Sequence, residues 1–187
     1  LTLTKSSEIN EVVYQGQIVA NRGYEEFVKA ATIQHEQPVN YVIRGFGPQE
    51  DEIRKLIKVE NANVKLAKPV EVKELVQKLS ESDIGVVLTK PVSINFKYTV
   101  SNKIFECIHA GLPVILSPVK EHYYLNEKYE FGIVIDKVTP QNIAEAVQTL
   151  LNNKILYNKV RCNAIKAPNE LNLQNESEKL KRIYLSN

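Results

Sequence analysis

Apolar residues along this chain occur in two alternating patterns. Short apolar runs, bounded by turn residues and without strict apolar–polar alternation, predict strands that are buried on both faces. These runs lie at residues 12–14, 41–43, 64–66, 84–88, 114–116 and 133–135. Between them, apolar residues recur at the i, i+3, i+4, i+7 spacing that predicts amphipathic helices packed on a sheet. The helical stripes fall within residues 24–31, 53–57, 72–79 and 143–151.

Strands that alternate with helices favour right-handed βαβ units, and therefore an α/β fold with a doubly wound parallel sheet of about six strands. In such sheets ligands bind at the carboxyl ends of the strands, so we expect the chemistry in the loops that follow them. Polar residues 1–10 lack periodicity and predict a linker before a domain that spans residues 11–168. After a break at Pro168, residues 169–187 predict one further helix.

Composition narrows the class of protein. The chain has 187 residues and a net charge of +2, which gives no reason to expect a nucleic-acid partner. No apolar run approaches the ~20 residues of a transmembrane helix, and the signal-peptide pattern is missing. Cys107 and Cys162 lack metal-ligand spacing, so we expect free thiols in a cytoplasmic protein. The chain begins at Leu1 and contains no methionine, so we expect an upstream portion.

Two loops after predicted strands contain pairs of glycines. Residues 16–23 read GQIVANRG, where the glycines permit close backbone approach and Arg22 offers a charge-assisted bond to a phosphate. The alternative is a plain turn with a solvated arginine. Residues 44–48 read RGFGP, which is only part of a dinucleotide-binding fingerprint and also suits any tight turn.

The segment at residues 101–115 carries the strongest candidate chemistry. Ser101 and Gly111 are expected to bound a short helix as its N-cap and C-cap. Lys103 and Glu106 then lie one turn apart near the ligand end of that helix. The carboxylate suits two adjacent sugar hydroxyls, and the lysine and helix N-terminus suit a phosphate. The alternative is a surface ion pair worth about 0.3 kcal/mol.

Residues 102–115, NKIFECIHAGLPVI, resemble the donor-site motif of GT-B glycosyltransferases, particularly glycosyltransferase family 4 (glycosyl transferases group 1). The resemblance covers most of the chain. Residues 14–23 resemble the family's Gly-Arg-x-x-x-x-Lys-Gly loop, residues 42–48 its strand ending in Gly-x-Gly-Pro, and residues 171–184 its helix returning to the N-terminal domain. The resemblance implies the Rossmann-like, nucleotide-sugar-binding half of a GT-B fold.

The resemblance also implies roles for individual residues. Glu106 would hold the ribose hydroxyls, and Arg22 would stand in place of the family's loop lysine at the diphosphate. Arg22 and Lys103 are the expected catalytic residues, because they would stabilise the leaving-group charge without a metal or other cofactor. Lys90 is included because it follows a predicted strand on the ligand side. The nucleotide-sugar-binding set is Gly16, Gln17, Arg22, Gly45, Lys68, Lys90, Ser101, Asn102, Lys103 and Glu106.

The implied function is transfer of a sugar from a nucleotide-diphosphate sugar to a glycan or lipid acceptor held by an N-terminal domain. We expect the full protein in the cytoplasm, or peripheral at the inner face of the membrane. Two residues depart from the family pattern: Gln17 replaces an arginine, and Tyr98 replaces the first glutamate of a Glu-x7-Glu motif. The alternatives are a GT-B-fold sugar-nucleotide epimerase, a flavodoxin-like binding domain, and a degenerate transferase domain that binds no nucleotide.

The three histidines form no metal-binding or catalytic constellation. His35 is expected as a solvated residue at the end of the first helix, and His109 as a packed or exposed neighbour of Glu106. His122 is expected in the loop after the strand at residues 114–116, where it could face the ligand.

Overall fold

The computed structural model describes residues 11–90 and 101–171. Within these ranges the strands are β1 (Glu11–Gln15), β2 (Asn40–Arg44), β3 (Val64–Ala67), β4 (Ile84–Val87), β5 (Val114–Leu116) and β6 (Gly132–Val134). The helices are α1 (Tyr24–Ala30), α2 (Glu50–Val59), α3 (Val72–Leu79), α4 (Asn102–His109), α5 (Lys120–Tyr129), α6 (Pro140–Asn152), α7 (Lys154–Lys166) and a 3-10 turn at Ala167–Asn169.

The strands form one parallel sheet in the order β3-β2-β1-β4-β5-β6. This arrangement confirms the doubly wound α/β fold and all six strands that the apolar runs predict. Strand order reverses between β1 and β4, which places the expected ligand crevice above the carboxyl end of β1.

Two hydrophobic layers cover the two faces of the sheet, because successive residues of a strand point to opposite sides. In β1, Tyr14 joins a layer that includes Phe27 of α1 and Val147 of α6. Its neighbour Val13 joins the other layer, which includes Ile104 of α4. Burial on both faces explains why these strands read as continuous apolar runs.

Helix α3 departs from its expected packing. Of its predicted apolar stripe, Leu79 is buried, but Val72 is 88% exposed and Val76 is 39% exposed. Val72 stands at the first position of the helix and lines a cavity instead of the core. The helical period was therefore correct and the assignment of the whole stripe to the core was wrong.

The sequence pattern also missed two helices. His122 lies inside α5, fully buried, and not in a loop. Helix α7 buries only Tyr157, Val160 and Ala164, a sparse stripe in a polar segment. His35 lies beyond the end of α1 and is not a simple solvated residue, because Nε2 lies 2.7 Å from the Tyr41 hydroxyl.

Other expectations have mixed outcomes. Cys107 and Cys162 are free thiols, as expected. His109 is exposed, and its Nδ1 donates to the carbonyl oxygen of Phe105 at 2.7 Å. The predicted linker at residues 1–10, Tyr98, and residues 172–187 of the predicted C-terminal helix lie outside the described residues.

Candidate functional site

A cavity of about 500 Å³ opens above the carboxyl ends of β1 and β2, between the starts of α3 and α4. This is the edge of the sheet where the topology places ligands. The described residues that line it are Gln15, Gly16, Gln17, Val19, Arg22, Arg44, Gly45, Phe46, Pro69, Val70, Val72, Leu75, Ser101, Asn102, Lys103 and Glu106.

Two glycine loops make the floor of this cavity by close backbone contact. Gly16 N–H donates to the carbonyl of Arg44 at 2.9 Å, and Ile18 N–H donates to the carbonyl of Phe46 at 2.9 Å. A Cβ atom on Gly45 would overlap the carbonyl oxygen of Gly16. Residue 45 must therefore be glycine, because a Cβ atom does not fit there. The hydrogen bonds between the two loops hold them in place.

Lys103 projects from the first turn of α4 across Gly16. Its Nζ lies 5.6 Å from the centre of the Tyr14 ring, and a Cβ atom on Gly16 would overlap the lysine side chain. Burial, followed by the nearby charge of Arg22, lowers the pKa of Lys103 from 10.5 to about 8. The amine is thus a partly desolvated cation with no direct ion pair to Glu106 among its described contacts.

Glu106 lies one turn further along α4 and is held by a neighbour from the end of β1. The Gln15 side-chain amide donates to Oε2 of Glu106. Burial raises the pKa of Glu106, while the bond from Gln15 and the charge of Lys103 act in the opposite direction. The bond orients the carboxylate through one oxygen and leaves Oε1 as an acceptor at the cavity.

Arg22 belongs to a buried polar network behind the cavity. Its Nη1 donates to the Thr89 hydroxyl at 2.9 Å, and Thr89 N–H donates to the Ser117 hydroxyl oxygen at 3.0 Å. His122 Nδ1 donates to the Ser117 carbonyl at 2.9 Å. Burial lowers the pKa of His122 to about 4, so the ring is neutral. His122 itself does not line the cavity.

Eight of the ten residues predicted from the sequence line this one cavity: Gly16, Gln17, Arg22, Gly45, Ser101, Asn102, Lys103 and Glu106. Two do not. Lys68 is exposed, and only the following residues, Pro69 and Val70, reach the cavity. Lys90 forms an ion pair with Glu26, with 2.7 Å between Nζ and Oε1, because the start of α1 brings that carboxylate to the end of β4.

Ser101 occupies the N-cap position of α4, but its side chain makes no capping hydrogen bond. The first-turn N–H groups of the helix are therefore not satisfied by this hydroxyl, and they lie beside the cavity with Asn102 and Lys103. Gly111 follows the last helical residues with φ of 71°, as expected for a helix C-terminus.

Sequence reasoning missed two polar residues of the site, Gln15 and Arg44. Both are the last residues of their strands, β1 and β2, so the rule that ligands bind at strand carboxyl ends could have found them. It also missed the apolar residues that line the cavity, which are Val19, Phe46, Pro69, Val70, Val72 and Leu75.

Among the described residues, no group of three or more histidine, cysteine, aspartate or glutamate side chains is arranged to hold a metal ion. None of the helices in the same ranges combines the length and apolar character of a membrane span.

The protein is a doubly wound, Rossmann-like α/β domain, and the cavity at the carboxyl ends of its strands is lined by cations and a carboxylate. Residues 9–153 match the family model described as glycosyl transferases group 1, and the chain belongs to that family. A comparison with curated proteins finds no match to this sequence.

Solved structures of GT-B glycosyltransferases share the fold. Anabaena HepE in complex with UDP matches with a TM-score of 0.81 and 15% identity, over 96% of this chain and 50% of that chain. Sucrose-phosphate synthase from Thermosynechococcus elongatus matches with a TM-score of 0.76 and 20% identity, over 98% of this chain and 47% of that chain. The chain therefore spans about half the length of these two relatives.

A third structure is itself a single domain. The C-terminal domain of a glycosyl transferase group 1 family protein, LpcC from Francisella tularensis, matches with a TM-score of 0.72 and 17% identity. The match covers 87% of this chain and 85% of that domain. At these identities the likeness establishes the Rossmann-like half of a GT-B fold.

Proposed function

We propose that this chain is the donor-binding domain of a glycosyltransferase that moves a sugar from a nucleotide-diphosphate sugar to a glycan or lipid acceptor. The observation that carries the proposal is the meeting of Glu106, Lys103 and Arg22 at one cavity above the strand switch point. A carboxylate with a free oxygen suits vicinal hydroxyls, and two cations suit a diphosphate. Membership of the glycosyl transferases group 1 family and the UDP in the HepE complex support this assignment.

The same residues would supply the catalytic stabilisation. Cleavage of the bond between the sugar and the diphosphate leaves negative charge on the diphosphate oxygens. Arg22, Lys103 and the N-terminus of α4 carry positive charge or partial positive charge at the cavity, so they would stabilise that leaving group. No metal or cofactor is needed for this role. The acceptor would be held by a second domain, so we expect the isolated chain to catalyse no transfer.

Nucleotide binding tests the proposal directly. We expect one nucleoside diphosphate to bind the purified chain when UDP, GDP, dTDP, ADP and CMP are compared by ligand-observed NMR. Replacing Glu106 with alanine should weaken that binding by about tenfold or more, because a charge-assisted hydrogen bond is worth about 1.5–3 kcal/mol.

The matched control is Glu127→Ala, which removes an exposed carboxylate on α5 that does not line the cavity. It should bind as the native chain does. Equal weakening by both substitutions would assign the effect to net charge and contradict the role of Glu106.

Lys103 gives the binding a defined pH dependence. Because its pKa is lowered to about 8, the amine is charged below that pH and becomes neutral above it. We expect UDP affinity to fall by up to about tenfold between about pH 7 and about pH 9, a range in which the phosphates are already ionised. Isothermal titration calorimetry across this range measures the effect.

The Lys103→Arg variant is the control, because a guanidinium stays protonated throughout the range. Its affinity should be flat with pH. A flat profile for the native chain, or the same decline in Lys103→Arg, would show that another group titrates.

A degenerate domain is the second candidate, and Gln17 supports it. Gln17 lines the cavity at the place where the family pattern has an arginine, so one expected cation is replaced by a neutral amide. This candidate predicts that none of the five nucleotides binds at millimolar concentration. The epimerase alternative has less support, because Glu106 is the sole carboxylate among the described residues that line the cavity.

A further inference from the structure

Arg44 is a charged side chain at the cavity with most of its hydrogen-bonding capacity unused. Its Nη1 donates to the carbonyl oxygen of Lys68 at 3.3 Å, and that is its single hydrogen bond to the described residues. Its Nε is buried without a partner, and no carboxylate within the described ranges pairs with it. Since a guanidinium carries five N–H donors, four of them lack an acceptor in those ranges.

The buried Nε lacks an acceptor among the described residues, and a ligand in the cavity could supply one. The bond to Lys68 ties the guanidinium to the loop after β3, and Arg44 lines the cavity.

The strand order places Arg44 at one end of the cavity and Arg22 at the opposite end. Arg44 ends β2 and contacts the loop after β3, whereas Arg22 is bonded to Thr89 just beyond β4. In the order β3-β2-β1-β4 these points are separated by the end of β1. Two strand spacings of about 4.8 Å, from β2 to β4, make roughly 10 Å between these two points of the backbone.

The apolar side chains mark which end suits a nucleobase. Pro69, Val70, Val72 and Leu75 follow β3 or belong to α3, and Phe46 follows β2, so they lie on the Arg44 side of β1. Phe46 is 57% exposed and lines the cavity, and aromatic side chains stack on nucleobases. Glu106, bonded to Gln15 at the end of β1, lies between this apolar end and the Arg22 end.

We propose that Arg44 reads the base of the donor nucleotide and selects uracil, thymine or guanine over cytosine or adenine. The first three bases carry an exocyclic carbonyl where cytosine and adenine carry an amino group. A guanidinium only donates, so it pairs with the carbonyl and is repelled by the amino group's N–H. This inference rests on the proposed nucleotide site and adds a specificity-determining residue to it.

Two matched ligand pairs test it on the 187-residue chain. UDP and CDP differ at the C4 substituent and in the proton on N3. GDP and ADP offer the corresponding contrast at C6 and N1, and guanine carries a further amino group at C2. We expect the native chain to favour UDP over CDP, or GDP over ADP, by about tenfold, since a good side-chain pair to a base edge is worth about 1–3 kcal/mol of discrimination. Arg44→Met should reduce this ratio to about twofold or less.

Three further measurements separate base reading from other roles. Arg44→Lys keeps the charge but loses the planar donor fork, so it should retain pyrophosphate binding and lose base selectivity. Arg54→Met removes an exposed arginine that is paired with Glu50 at 2.8 Å, and it should leave the ratio unchanged. If Arg44→Met weakens UDP, CDP and inorganic pyrophosphate by the same factor, Arg44 binds phosphate and the inference is wrong.

The remaining outcomes are equally decisive. A native chain that binds nucleotides without preferring the carbonyl-bearing partner of either pair would overturn the role of Arg44 and leave the proposed function standing. A native chain that binds neither these four nucleotides nor dTDP would overturn the proposed function, and the base-reading role with it.

Discussion

Replacing Gly45 with alanine is expected to destabilise the domain by about 3 kcal/mol and to abolish nucleotide binding. The added Cβ would overlap the carbonyl oxygen of Gly16, which is backbone and cannot rotate away. The two loops are already joined by the bond from Gly16 N–H to Arg44 O, so the strain must move the ends of β1 and β2. Overpacking costs about 1–3 kcal/mol, which is a large part of a total stability of about 5–15 kcal/mol.

The matched control is Gly132→Ala in β6, at the edge of the sheet. A Cβ on Gly132 of β6 would overlap the carbonyl oxygen of Val114, but Gly132 does not line the cavity. Urea unfolding should therefore show a comparable loss for Gly132→Ala, while UDP binding to its folded fraction persists. Native stability and native UDP binding in Gly45→Ala would refute the close contact between the loops.

Replacing Phe27 with alanine is expected to cost about 3–5 kcal/mol of the free energy of unfolding, the range for deletion of a buried aromatic side chain. Phe27 of α1 is fully buried. Its ring contacts Tyr14 edge-on at 5.6 Å and Tyr41 edge-on at 5.1 Å between ring centroids. Tyr14 also stacks on Tyr24 at 4.2 Å, so the substitution opens a cavity beneath several aromatic rings.

Phe46 supplies the matched control, because the same substitution there removes a ring that is 57% exposed. Phe46→Ala should change the free energy of unfolding by about 0.5 kcal/mol or less, as is usual for surface positions. Urea denaturation of both variants measures the difference. Similar losses in the two variants would contradict the placement of Phe27 in the core.

Most of the architecture could be predicted from the sequence, because the periods of helices and strands are local properties of the chain. The runs at residues 12–14 and 114–116 are buried in the structure as predicted, and the order of strands and helices implied a parallel sheet. The parts that failed have weak local signals. Helix α5 buries only His122 and Leu125 in an otherwise polar segment, so its period does not stand out.

The site residues also fall into those that the sequence predicts and those that it cannot. Gly16, Gly45 and Glu106 could be named from turn chemistry and the resemblance to the family, and the structure brings them to one cavity. Lys90 could not be assessed from the sequence, because its partner Glu26 lies on a different element.

The sequence by itself determined the six strands, most of the helices and which loops follow the strands. Only the tertiary structure decided which of those loops meet. The order β3-β2-β1-β4 sets Arg44 and Arg22 at opposite ends of the cavity and brings Gln15 to Glu106. Strand order depends on pairing between residues far apart in the chain, so the local spacing of apolar residues does not determine it. The lowered pKa of Lys103 has the same origin, because it depends on burial beside Tyr14 and Arg22.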